Sequence, residues 1–475
     1  GLFTRAFFPT EPLGALVLRC LFLLYAGVAL FKAFSKKGRD TSSERPKGRV
    51  KNLLFLLPLS GGLAFVVGHT MVVLFIFVPE VLACALLGAF VTLALTIHQC
   101  RKGRRPWSFL RGVSVLLLLS FGLAYLPTCL WLWARPDPAL CEAITEHPAV
   151  ERLTPPSYPE GRSFPYEMTY LPERASVAAA FKMAGNLSLG IWGDSSANRL
   201  ALIDLSVPGE PVLAELALEG DPLPQYMAIG PKRETLVVSR PGYGEHFLDY
   251  VDLKDFPTLR LSKRVNTAPQ PHAIALIADE RLVLATMHRE VLLLDYQSSE
   301  VVSGQPIPSV FFSPGLTVTD MALSPDKKKS YIAMFGTELV EVDLSKREGG
   351  MRYASVGFGA GEVIHHPKEQ ALYQSDFFQN EVRIIDTESL EVSHRWPLDF
   401  APRPLAIAPS RELLALGDWL GGYVHFLDAA NGEVRAPPLP VGPYLREFAL
   451  DDERGMLYTA SKCGIYQVDL KRLPL

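Results

Sequence analysis

The chain has 475 residues, of which 48% are hydrophobic, and a formal net charge of −3. Residues 1–134 hold 15 basic and 4 acidic residues, whereas residues 135–475 hold 32 basic and 46 acidic residues. An acidic soluble part argues against a nucleic-acid partner, because contacts to phosphates require Lys and Arg.

Four apolar segments in residues 1–134 are long enough, or nearly so, to cross a bilayer. They are residues 13–34, 53–78, 81–97 and 113–133. A spanning helix needs roughly 20 apolar residues. We therefore predict an all-α transmembrane domain of four helices over residues 1–134.

The loops of this domain predict its orientation. Residues 32–51 carry eight Lys and Arg against two acids, and residues 101–111 carry five with no acid. Both loops lie on one side if four helices span, and the positive-inside rule places that side in the cytoplasm. Everything after residue 133 is then expected outside, which is the periplasm for a bacterial inner membrane.

Two ionisable residues, Arg19 and His69, lie within the predicted spans. Intramembrane ionisable groups are functional candidates by default. The alternative is structural, because Arg19 can snorkel toward headgroups and His69 can bond to a neighbouring helix.

Residues 135–164 contain six prolines and are predicted to form a stiff linker. Its residues 149–153 are expected to supply a closing strand to the domain that follows. Cys141 and Cys463 are the two cysteines of the soluble part. A disulfide between them requires an oxidising compartment, and sequence alone does not establish the pairing geometry.

A phrase of apolar residues followed by Asp occurs seven times in the acidic half. The aspartates are Asp204, Asp252, Asp295, Asp343, Asp386, Asp428 and Asp469, at spacings of 48, 43, 48, 43, 42 and 41. Periods of roughly 40–50 residues are typical of propeller blades, and short apolar runs broken by Pro, Gly, Asp and Ser indicate strands. We predict an all-β seven-bladed β-propeller over residues 165–475, in which each Asp caps a turn through backbone N–H groups.

These units resemble the YVTN-type repeats of bacterial seven-bladed propellers, which are related to the WD40 architecture. The nearest local strings are Leu457-Tyr458-Thr459-Ala460 and Tyr331-Ile332-Ala333, and no repeat carries the full Tyr-Val-Thr-Asn string. That family includes binding and scaffold modules as well as cofactor-dependent oxidoreductases. The resemblance therefore implies a fold and does not choose a function.

Aligning the repeats at the turn after the first strand brings seven residues to one position, expected near the mouth of the central channel. They are Tyr166, Gln225, His272, Thr319, Gly361, Arg403 and Arg446, with Asp320 and Glu362 one step further along. Such a ring suits a small anion, a peptide or a partner loop, and the alternative is the polar lining of a wet channel.

Two aromatic residues, Phe377 and Trp419, lie in hairpins expected on the same face as this ring. Exposed aromatic side chains in loops would indicate a protein contact. The alternative is that both fold back on their blades.

The sequence contains no Gly-x-Ser-x-Gly, His-Glu-x-x-His, phosphate-loop or dinucleotide signature. We therefore expect no catalytic residues, no cofactor and no metal, and predict that the protein is not an enzyme. The favoured function is a membrane-anchored scaffold or accessory subunit of a larger membrane protein complex, with a periplasmic propeller for protein–protein interaction. The alternatives are a periplasmic ligand-binding or sensor module and a propeller oxidoreductase or hydrolase.

Overall fold

The computed structural model describes residues 138–474 except 145–146, 156–162, 184–197, 207–210, 221, 242–244, 256–257, 268–269, 278–279, 288, 308–317, 335–337, 347–349, 358–360 and 378. The four predicted spans, with Arg19 and His69, lie outside the described residues, so the helical domain stays a prediction. Within the described ranges, no helix has both the length and the apolar character needed to cross a bilayer.

The described residues form seven four-stranded antiparallel sheets, which confirms the predicted seven-bladed propeller. Blade 1 contains β2 (Ser163–Leu171), β3 (Ser176–Met183), β4 (Arg199–Asp204) and β5 (Val212–Ala217). Blade 2 contains β6 (Met227–Ile229), β7 (Thr235–Arg240), β8 (Phe247–Asp252) and β9 (Arg260–Asn266). Blade 3 contains β10 (Pro271–Leu276), β11 (Arg281–Thr286), β12 (Glu290–Asp295) and β13 (Val301–Pro306). Blade 4 contains β14 (Val318–Leu323), β15 (Lys329–Met334), β16 (Glu338–Asp343) and β17 (Met351–Ser355).

The three remaining blades have the same antiparallel order. Blade 5 contains β18 (Val363–His365), β19 (Ala371–Asp376), β20 (Glu381–Asp386) and β21 (Val392–Pro397). Blade 6 contains β22 (Pro402–Ala408), β23 (Leu413–Asp418), β24 (Tyr423–Asp428) and β25 (Val434–Pro440). Blade 7 contains β26 (Glu447–Asp451), β27 (Met456–Ser461), β28 (Gly464–Asp469) and β1 (Val150–Arg152). The first strands of successive blades contact one another around the full circle, including β26 with β2, so these strands surround the central channel.

Blade 7 joins the two ends of the propeller. Its outermost strand β1 lies within the predicted closing stretch of residues 149–153 and pairs antiparallel with β28, with Val150 opposite Val468. A short helix, α1 (Pro138–Ala143), precedes β1. Cys141 of this helix forms a disulfide with Cys463 in the turn between β27 and β28. The structure therefore contains the disulfide that the sequence alone did not establish.

The hydrophobic core lies between neighbouring blades. Leu200 and Leu202 of β4 are fully buried against blade 2, whereas Ala201 and Ile203 of the same strand are fully buried against blade 7. Successive side chains of a strand point to opposite faces, so an apolar run with no alternation is what a strand covered on both faces requires.

The repeated aspartates all have the same local role. Each accepts a hydrogen bond from the backbone N–H two residues further on, at 2.8–3.0 Å. This is the Asx turn, in which a short side chain substitutes for a backbone acceptor. The prediction that these residues cap turns is confirmed.

Candidate binding site at the channel mouth

The predicted ring residues lie within the first, innermost strand of blades 1, 3, 4 and 6 and one or two residues before that strand in blades 2, 5 and 7, rather than in the turn after it. In blades 1, 3, 4 and 6 the strand register shifts at this point, across Tyr166, His272, Thr319 and Arg403. A β-bulge leaves a residue outside the ladder and changes the direction of its side chain. At these four positions the side chains therefore do not follow the regular alternation between the two faces of the sheet.

Blade 2 positions its ring residues through a buried hydroxyl group. Ser239 Oγ accepts a hydrogen bond from Tyr226 N at 3.1 Å and donates one to the carbonyl oxygen of His272 at 2.6 Å. Ser239 is fully buried, so these bonds form away from competing water. One serine thus connects the ring segments of blades 2 and 3.

Blade 5 repeats the arrangement. Ser375 Oγ accepts from Glu362 N at 3.0 Å and donates to the carbonyl oxygen of Arg403 at 2.7 Å. A Cβ atom at Gly361 would clash with Ser375. The glycine is therefore required by this close approach, and it contributes no side chain to the ring.

A chain of aromatic and cationic contacts connects the ring residues of neighbouring blades. The Arg446 guanidinium lies over the Tyr166 ring, 4.1 Å from its centroid. Tyr166 meets Tyr226 edge-on at 6.0 Å, and Tyr226 lies 4.9 Å from the His272 ring. The Tyr226 hydroxyl donates to the carbonyl oxygen of Thr319. Side chains of blades 7, 1, 2 and 3 and the backbone of blade 4 are thereby in one network.

The hairpin aromatic residues fold back onto the ring. The Arg403 guanidinium lies 5.0 Å from the Trp419 ring centroid and 5.5 Å from that of Phe377, and the two rings meet at 5.4 Å. Trp419 also contacts Tyr444, whose ring lies beneath the Lys462 ammonium at 5.4 Å. Phe377 is 8% exposed and Trp419 5%, so these rings support the cations of the mouth instead of forming an apolar surface patch.

Four carboxyl groups form one electrostatic cluster in the same region. Burial raises the pKa of Asp320 to about 6. Burial and repulsion from Asp320 and Glu362 raise the pKa of Glu167 well above its usual value. The pKa of Glu362 is raised by burial and by Asp320, and that of Glu447 by burial and by the three other acids. Acids of blades 1, 4, 5 and 7 thus interact with one another.

Two guanidinium groups accompany these acids. Arg403 Nε lies 3.9 Å from Glu362 Oε1, and Asp320 Oδ2 accepts a hydrogen bond from the backbone N–H of Val363 at 2.8 Å. Arg446 is 5% exposed, and its Nε has no hydrogen-bond partner among the described residues. In the parts of the chain that the structure describes, no three His, Cys, Asp or Glu side chains are arranged to hold a metal ion.

Sequence reasoning missed Glu167, Tyr226 and Glu447. Each follows its aligned ring position by one residue, which is the same step that identified Asp320 and Glu362. Extending that step to every blade would have found them. Gln225 is 3% exposed, and its neighbour Tyr226 makes the contacts to the other ring residues.

No family model matches the chain, and the search of curated proteins finds no match. The propeller therefore rests on the structure, and the YVTN type stays a prediction.

Proposed function

We propose that the protein is a membrane-anchored scaffold or accessory subunit of a larger membrane protein complex, and that its propeller binds a partner protein in the periplasm. The observation that carries this proposal is the channel mouth. Residues from all seven blades converge there, and bulges or buried serines fix the positions of those from blades 1 to 6. A rigid, preorganised set of polar and aromatic groups binds with a small loss of side-chain entropy.

The disulfide supports the periplasmic part of the proposal. Disulfides persist in oxidising compartments and are rare in the cytosol of mesophiles. The Cys141–Cys463 bond agrees with the expectation from the basic loops that the chain after residue 133 lies outside the cytoplasm.

The scaffold role is tested by gentle detergent extraction from the native membrane, followed by native mass spectrometry. We expect a stoichiometric complex that an Arg446→Gln variant loses. A matched control is Arg260→Gln, since Arg260 is an exposed residue on the outer strand β9. A monomeric wild-type chain would overturn the scaffold proposal, and a small molecule bound to it would favour a ligand-binding or sensor module.

The topology is tested separately by fusing alkaline phosphatase after Leu475. The enzyme is active only where its own disulfides form, so we expect activity. An inactive fusion that is nevertheless produced at full length would contradict the periplasmic placement.

A further inference from the structure

The charges at the channel mouth do not balance. The four acids of the cluster are Glu167, Asp320, Glu362 and Glu447, and the two guanidinium groups among them belong to Arg403 and Arg446. With every group ionised, these six groups carry two more negative than positive charges, and one negative charge remains in excess when the Lys462 ammonium over the Tyr444 ring is added. Charges held close together in a poorly solvated site repel strongly, and a cation placed among the carboxyl groups would relieve that repulsion.

Arg446 contributes a hydrogen-bond donor to the same region. Its Nε is a hydrogen-bond donor with no partner among the described residues, although the residue is 95% buried. A buried donor without an acceptor destabilises the folded protein. The contact with Tyr166 at 4.1 Å holds this guanidinium at the cluster, where a ligand bearing an acceptor oxygen would satisfy it.

These two requirements together restrict the ligand class. A simple anion would satisfy Arg446 but would be repelled by four carboxyl groups. A bare metal ion carries no acceptor oxygen, and the described acids are not arranged as metal ligands. A peptide with a basic residue carries both a cation for the carboxyl groups and carbonyl oxygens for Arg446.

We propose that the channel mouth binds a basic peptide segment, with its ammonium or guanidinium group among the four carboxyl groups and a carbonyl oxygen bonded to Arg446. Glu167, Asp320 and Glu447 are half-buried residues, whereas Glu362 is buried beside Arg403. This inference rests on the proposed partner-binding function and specifies the chemistry that the partner presents.

The test is a titration of the purified full chain in detergent with defined peptides, followed by saturation-transfer NMR. The probes are acetyl-Ala-Lys-Ala-amide and the equally long peptide with norleucine in place of Lys, with calcium chloride as a third arm. We expect saturable binding of the Lys peptide and affinity at least about tenfold weaker for the norleucine peptide, because one charge-assisted contact is lost.

Variants locate the binding site. The double variant Glu167→Gln, Glu447→Gln is expected to weaken the Lys peptide by about tenfold or more. Glu300→Gln makes the same type of substitution once, at an exposed position outside the cluster, and should leave the affinity unchanged. If the double variant does not fold, the comparison of the two peptides on the wild-type chain still decides the matter.

Equal affinity for the two peptides, the absence of saturable binding, or displacement of the Lys peptide by calcium would overturn the inference. The scaffold proposal is tested by native complexes and this inference by a chain without partners, so the two failures are distinguishable. A native complex with no response to the Lys peptide overturns only the ligand assignment. Specific peptide binding by a chain that forms no complex overturns only the scaffold.

Discussion

The disulfide between Cys141 and Cys463 is predicted to dominate the stability of the propeller. It joins residues 322 positions apart. Without it, the segment before blade 1 is joined to blade 7 by the ladder between β1 and β28, which contains three residue pairs. Replacing both cysteines with alanine should therefore make the opening of blade 7 the first step of unfolding.

The loop length sets the magnitude. For about 322 residues, the chain-entropy relation gives a loss of about 19 cal/mol/K from the unfolded chain, or about 6 kcal/mol at 25 °C. Measured disulfide contributions are commonly about 2–4 kcal/mol, because unfolded chains keep residual structure. We expect the free energy of unfolding to fall by about 4 kcal/mol in the double alanine variant.

Urea unfolding of the full chain in detergent, followed by tryptophan fluorescence, measures this difference. Dithiothreitol should lower the midpoint of the wild-type chain to that of the double variant, and it should have no effect on the double variant itself. Each single alanine variant should match the double variant. A wild-type midpoint that reductant leaves unchanged would refute the reasoning.

Four further predictions concern charged groups of the propeller, and unfolding or labelling measurements check them. Asp249 is fully buried and pairs with Arg240 and Arg264 at 2.6–2.8 Å, so Asp249→Asn should lower the free energy of unfolding by about 3–5 kcal/mol. The control Glu234→Gln removes an exposed ion pair at 3.4 Å and should lower it by about 0–1 kcal/mol. Equal losses for the two variants would contradict the role of burial. Burial raises the pKa of Asp320 to about 6 in the folded protein, whereas an unfolded Asp has a pKa of about 4. Between these two pH values the unfolded chain releases the proton more readily than the folded protein, so ionisation of Asp320 destabilises the fold as pH rises. Asp320→Asn should therefore raise the urea midpoint at pH 7.5 and have little effect at pH 4, and a decrease at pH 7.5 would contradict it. Ionisation of Asp343 has the opposite effect on stability, because a hydrogen bond from the Ser345 hydroxyl lowers the pKa of this carboxyl group. Asp343→Asn should therefore lower the free energy of unfolding by about 1 kcal/mol at pH 7. This loss should disappear as pH falls below about 4. Burial lowers the pKa of Lys462 to about 8, so trinitrobenzenesulfonate should modify it with a midpoint near that pH; a midpoint above 10 would contradict the burial.

The number of blades could be predicted because the signal is local. Each repeated Asp bonds to the N–H two residues further on, so a single residue and its neighbours define the end of the third strand. The closing strand was predictable for a related reason. The residues before blade 1 supply the outermost strand of blade 7 as β1.

The site was only partly predictable because its geometry depends on irregular backbone. The repeat alignment placed Tyr166 and Arg446 at equivalent positions, and they are in contact. It selected Gln225 where Tyr226 makes the contacts, since strand β6 begins only at Met227. A one-residue shift exchanges the side chain that faces the channel, and spacing alone does not reveal such shifts.

Strand order, turn caps and the count of seven blades follow from interactions between residues close in the chain, which the amino-acid pattern specifies directly. The Cys141–Cys463 bond and the cluster of acids from four blades depend on residues brought together from distant parts of the chain. Such contacts form only once the circle closes, because closure places the first strand of every blade around one channel. The blade architecture can therefore be predicted from the sequence, whereas the arrangement of charged and aromatic groups at the channel mouth depends on the closed propeller.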